Sequence, residues 1–114
     1  MNIINKIYKF LYIIFYRKLL NGLLYGVAAT TEHIQILNSI KSIKTIIDIG
    51  ANKGQFALAS RFVFPETRIF SFEPLQFPVK KFNALFKKDR NIIMHNNAIG
   101  PEKKLIPMHI SKRE

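Results

Sequence analysis

The stretch Thr45-Ile46-Ile47-Asp48-Ile49-Gly50-Ala51-Asn52-Lys53-Gly54-Gln55-Phe56 limits the folds open to this chain more than any other. Ile46, Ile47 and Ile49 are β-branched and apolar, which predicts a short strand covered on both faces. Gly50 and Gly54 punctuate the turn that follows, and Gln55-Phe56 opens a helix. A glycine without a Cβ lets a ligand lie against backbone N–H groups at the start of a helix. Asp48 is expected to end the strand and to project at the carboxyl edge, where open α/β sheets bind ligands. An α/β nucleotide- or cofactor-binding domain accounts for all of these features together.

A chain of 114 residues has room for one small domain. Hydrophobic residues make up 48% of it, with 10 Phe and 4 Tyr, so a core can form and disorder is not expected. The net charge of +11, from 18 basic and 7 acidic residues, suits an anionic membrane surface or nucleic acid. Codon usage rich in A and T, which favours Lys, Ile and Asn, is the blander source of that charge, and no interleaved aromatic-basic motif supports nucleic acid. There is no cysteine, which excludes disulfides, thiolate metal sites and a thiol nucleophile. That composition accords with the cytoplasm.

Residues 2–20 are apolar and aromatic, but Lys6, Lys9, Arg17 and Lys18 interrupt them. A membrane-spanning helix needs about 20 nearly uncharged residues, so this segment does not read as one. Asn2, Lys6, Lys9 and Arg17 share a narrow stripe of the helical wheel, away from Ile3, Ile4, Ile7, Leu11 and Ile14. Such an amphipathic helix either docks on its own domain or lies on the inner surface of an anionic membrane as a peripheral contact. Asn21-Gly22 and Gly26 are expected to loosen it, and Thr30 or Thr31 to cap a second helix running toward Lys41.

Beyond the glycine turn, Gln55–Phe62 reads as a helix and Arg68-Ile69-Phe70-Ser71-Phe72-Glu73 as a second strand. Pro78 is expected to open a helix over Val79–Lys88, whose Lys80, Lys81, Lys87 and Lys88 face solvent. Asn91–His95 reads as a third strand, and Leu105–Ile110 as a fourth, at an edge because of Pro107.

The ligand follows from comparing turns. A phosphate loop needs Lys-Ser/Thr after its last glycine, whereas Gln55-Phe56 follows Gly54. A dinucleotide site wants a second glycine where this turn has Asn52, so a pyrophosphate could not approach as closely. Glu73, 23 positions beyond Gly50, ends the neighbouring strand, where a carboxylate accepts ribose hydroxyls. Asp-x-Gly-x-Asn-x-Gly with a strand-ending Glu best fits S-adenosylmethionine, which carries a nucleoside and no phosphate.

Ile47–Phe56, then Phe72-Glu73-Pro74-Leu75, then Asn97-Ala98-Ile99-Gly100, resembles the FkbM-type family of S-adenosylmethionine-dependent methyltransferases. Gly26-Val27-Ala28-Ala29 and Glu32-His33 extend the resemblance, which covers roughly residues 26–110. It implies a class I, Rossmann-like methyltransferase sheet with flanking helices, acting on a hydroxyl of a small molecule or glycan. On that resemblance Asp48, Gly50, Asn52 and Gly54 surround the methionine moiety, Glu73 holds the ribose, and Asn97 and Ala98 lie near the adenine. Residues 1–44 are then a helical leader, and residues 45–114 the first half of the cofactor-binding domain. The family continues with a Lys-x-Asp-x-Glu-Gly strand segment that does not occur here, so the chain is expected to be truncated and its activity doubtful. His33, His95 and His109 are the candidate bases; their spacing suggests no metal site, and none has a visible orienting partner, so no catalytic residue is assigned.

Overall fold

The computed structural model describes residues 2–111 and, within the first helix, the side chains of residues 2–7 and 17–24. Seven elements follow one another: α1 (Ile3–Leu24), α2 (Thr31–Asn38), β1 (Thr45–Ile49), α3 (Gln55–Val63), β2 (Arg68–Phe72), α4 (Gln76–Phe86) and β3 (Ile92–His95). The strands form a parallel sheet in the order β1-β2-β3. Ile46 pairs with Ile69 and Ile69 with Ile92, so the β-branched positions stack in one row across the sheet.

The sheet is covered on one face. Connections between neighbouring parallel strands are right-handed, so two successive crossovers running in the same direction place α3 and α4 on the same side. That side holds the core, built from Ile46, Ala57, Ile69 and Phe82, with Ile92 and Met94 packed against it. Phe82 is 1% exposed, and burying a side chain of that size contributes roughly 2–3 kcal/mol. The other side carries Ile47, Ile49 and Ile93, of which Ile47 is 66% exposed. The expectation of a strand covered on both faces is therefore corrected: the alternation in β1 is that of a one-sided sheet.

α3 is buried nearly all round, because the sheet covers one side of it and α1 and α2 the other. Its small residues Ala57, Ala59 and Ser60 permit this close approach. Gly22 of α1 serves the same end, since a Cβ there would meet the side chain of Leu58 and come within 2.8 Å of the Val27 carbonyl oxygen. α1 therefore continues through Asn21-Gly22, where the sequence predicted loosening, and turns off after Leu24 with Gly26 at φ 75°. Thr30 caps α2, its hydroxyl accepting from the His33 N–H at 3.3 Å, as expected.

Two further boundaries move. α4 begins at Gln76, with Pro78 in its first turn, where no helical donor is lost. Residues 103–111 join no strand, and Leu105, Ile106, Met108 and Ile110 lie exposed, so the expected fourth strand is absent.

Candidate functional site

The turn after β1, the end of β2 and the end of β3 meet at the carboxyl edge of the sheet. The backbone N–H groups of Gly50 and Ala51 both donate to the carbonyl of Phe72, each at 2.9 Å. The Glu73 N–H donates to the carbonyl of His95 at 3.1 Å. Asn96 closes the third strand onto the second, its side-chain amide donating to the carbonyls of Glu73 and Pro74 at 2.8 and 3.0 Å. Sequence reasoning chose Asn97 and Ala98 and passed over Asn96; both chosen residues are exposed, beside the turn that Asn96 fixes. Two adjacent asparagines, Asn96 and Asn97, gave no local signal of which side chain would close onto the neighbouring strand.

Glu73 is buried, and both of its oxygens are engaged. One accepts the N–H of Asn52 at 3.0 Å, the other the N–H of Leu75 at 2.9 Å. The carboxylate thus joins the glycine turn to the start of α4. A carboxylate offers about four acceptor positions, so two remain for hydroxyl donors. Asn52 holds the turn at φ 52°, in the left-handed region that Asn tolerates better than most residues.

The two glycines of the turn serve different purposes. Gly50 stands at φ 77°, and a Cβ there would meet nothing within 4 Å, so the backbone is open to a ligand. Gly54 stands at φ 102°, and a Cβ there would come within 2.7 Å of Phe86 and 2.8 Å of Phe82. Its missing side chain admits the aromatic residues of α4, so helix packing by itself demands a glycine at position 54. Gly54 also supplies the first helical carbonyl of α3, which accepts from Leu58 at 2.8 Å.

Asp48 is the penultimate residue of β1, and its side chain lies on the covered face with Ile46. It does not project from the strand end as expected, because the strand runs on to Ile49. Burial raises its pKa above the ordinary 3.8, against the smaller opposing effects of the Ser71 hydroxyl and of His33. Ser71 Oγ donates to Asp48 Oδ2 at 3.4 Å. His33 was expected to stand alone, but α2 brings it near enough to Asp48 to act on its charge. Its ring meets Phe56 edge-on at 5.1 Å, and its buried Nδ1 has no hydrogen-bond partner. His95 stacks on Phe72 at 5.0 Å on the open face of the sheet. Among the described residues no three His, Asp or Glu side chains gather as a metal cluster.

No family model matches the chain, and no curated protein matches it in sequence. Solved structures are similar in fold. Precorrin-6y C5,15-methyltransferase from Geobacter metallireducens GS-15 matches at a TM-score of 0.50 and 21% identity, over 66% of this chain and 44% of that one. A fibrillarin/Nop5p complex matches at a TM-score of 0.46 and 21% identity, over 55% of this chain and 32% of that one. The first likeness shows a Rossmann-like α/β fold, as the strand–turn–helix pattern predicted. The chain spans less than half the length of that methyltransferase.

Proposed function

We propose that the chain provides the cofactor-binding half of an S-adenosylmethionine-dependent methyltransferase of the FkbM type, which methylates a hydroxyl of a small molecule or glycan. One juxtaposition carries this reading: the open backbone of Gly50 lies beside buried Glu73 at the carboxyl edge of a parallel sheet. The residues fit the cofactor. Glu73 retains acceptor positions for the two ribose hydroxyls, and Gly50 leaves space for the methionine end. Asn97 and Ala98, exposed just past β3, flank the place of the adenine. Asp48 lies buried near the end of β1, Asn52 holds the turn in its left-handed conformation, and Gly54 lets the aromatic residues of α4 pack against the turn. The solved methyltransferase of similar fold supports the class of reaction.

The cofactor supplies an electrophilic methyl group on a sulfonium. The chain's own part is to bind and orient it, which converts a bimolecular displacement into a positioned one. Glu73 performs two tasks through one carboxylate: it holds the Asn52 N–H and thereby the turn, and it presents the same oxygens to the ribose.

Isothermal titration with S-adenosylmethionine tests the reading. Glu73→Gln keeps one oxygen acceptor and replaces the other with an amide donor, so it weakens binding by about tenfold or more, as expected when a charge-assisted hydrogen bond is lost. Gly50→Val adds a side chain in the ligand's space and lowers affinity as well. Wild-type protein that binds no cofactor at millimolar concentration, or affinity unchanged in both variants while circular dichroism stays native, would refute it.

A further inference from the structure

A groove of about 530 Å³ lies where the last turns of α1 meet α3 and the end of α4. Its floor is apolar, formed by Leu58, Phe62 and Leu85, and its rim is cationic, formed by Lys18, Lys88 and Arg90. Asp89, the carboxylate in the groove, is already held by Arg61 at 2.7 Å. Among the described residues two ion pairs form, Arg61–Asp89 and Lys104–Glu102, and neither engages a rim cation. Lys18, Lys88 and Arg90 thus stand over an apolar floor, and the groove carboxylate Asp89 is paired with Arg61 and not with them.

α1 extends this surface. Its first turns leave Ile3 71% and Ile7 52% exposed. At 100° per residue, Ile3 and Ile7 fall on the same side of the helix as Lys18 and Asn21, both of which line the groove. The first turns of this 22-residue helix therefore present Ile3 and Ile7 uncovered on the side that carries Lys18 to the cationic rim. Among the described residues no helix is long and apolar enough to cross a membrane.

We propose that this side of α1 and the groove at its end bind the surface of an anionic lipid bilayer. Ile3 and Ile7 enter the boundary between headgroups and acyl chains, and Lys18, Lys88 and Arg90 meet the lipid phosphates. The combination selects a bilayer over a nucleic acid. A phosphodiester backbone satisfies the cations but leaves the isoleucines in water, whereas an anionic bilayer takes up both. The proposal is independent of the methyltransferase reading, since it uses none of the residues around Gly50 and Glu73.

Co-sedimentation of the full chain with vesicles tests it, comparing phosphatidylcholine alone with phosphatidylcholine mixed with phosphatidylglycerol. Partition into the mixed vesicles is expected, falling as salt screens the cations. Lys88→Gln combined with Arg90→Gln lowers the partition coefficient roughly 25-fold, about fivefold for each cation near the surface. Ile3→Asn with Ile7→Asn lowers it too, and because all four side chains are exposed, circular dichroism stays native in both variants. Equal partition into neutral and anionic vesicles, or a Lys88/Arg90 double variant that partitions like wild type, would overturn the proposal. So would capture of the protein by a duplex oligonucleotide in place of vesicles.

Discussion

Burial sets the chemistry of Asp48, because β1 turns its side chain onto the covered face of the sheet. Desolvation there outweighs what the Ser71 hydroxyl and His33 return to the charged form, and the pKa rises above 3.8. The consequence for stability has a definite sign. Between the unfolded and the folded pKa the native state binds more protons than the unfolded state, so stability falls as pH rises through that window. At neutral pH the full penalty of holding the carboxylate charged is present. Asp48→Asn keeps the shape and an acceptor for Ser71 while removing the charge. It is therefore expected to melt above wild type at pH 7, with the advantage shrinking as pH falls through the raised folded pKa toward 3.8 and changing no further below that. Melting midpoints that run parallel with pH in the two proteins would contradict this account. The residue was legible from sequence as the acidic position near the end of β1, but its orientation was not, since that depends on which face of the strand α3 and α4 cover.

At the scale of the element, α3 is held by Arg61 as much as by its apolar residues. Arg61, 7% exposed, donates to Asp89 through Nε at 2.7 Å. Its Nη1 reaches the carbonyls of Phe64, Pro65 and Thr67 at 3.1, 2.9 and 2.7 Å. One side chain thus satisfies the loop that carries α3 into β2 and ties it to Asp89 in the turn between α4 and β3. Arg61→Met leaves an unpaired Asp89 and three carbonyls without that donor. Breaking a buried pair costs about 3 kcal/mol, the lower end of the range, because the Asp89 side chain is 25% exposed. For a domain of this size that lowers the melting temperature by on the order of 15 °C. A fall of only a degree or two, measured by circular dichroism, would show that the loop is held by other means. Nothing local in the sequence joined Arg61 to Asp89: the partners are 28 positions apart, and an arginine inside a short helix reads as a solvated charge.

For the molecule as a whole, the uncovered face of the sheet is the dominant fact. Ile47, Phe70 and Ile93 form one row across it by register, and Ile49, Phe72 and His95 the next. Among the described residues both outer strands have a free edge, β1 with exposed Ile47 and Ile49, and such edges favour pairing with other chains. Because Ile47 and Ile49 contribute little burial here, replacing both with Thr changes the unfolding free energy measured in urea by less than about 0.5 kcal/mol per site. The same change lowers binding of the dye ANS, which reports exposed apolar surface. A loss of more than about 1 kcal/mol per site would mean that this face is covered in solution.

The order of strand, glycine turn, helix and acidic strand end was fixed by local chemistry and could be read residue by residue. β-branched runs favour extended backbone, Thr30 caps a helix, and the glycines of the turn take φ values that side chains resist. What each group then does was decided only when distant segments met. Gly50 stays open because nothing packs over it, while Gly54 is closed by Phe82 and Phe86 from a helix more than 25 positions away. Glu73 became a support for the turn because β1 and β2 lie side by side. A single strand's alternation also cannot say whether its second apolar face is covered, since that depends on which side the crossovers place their helices.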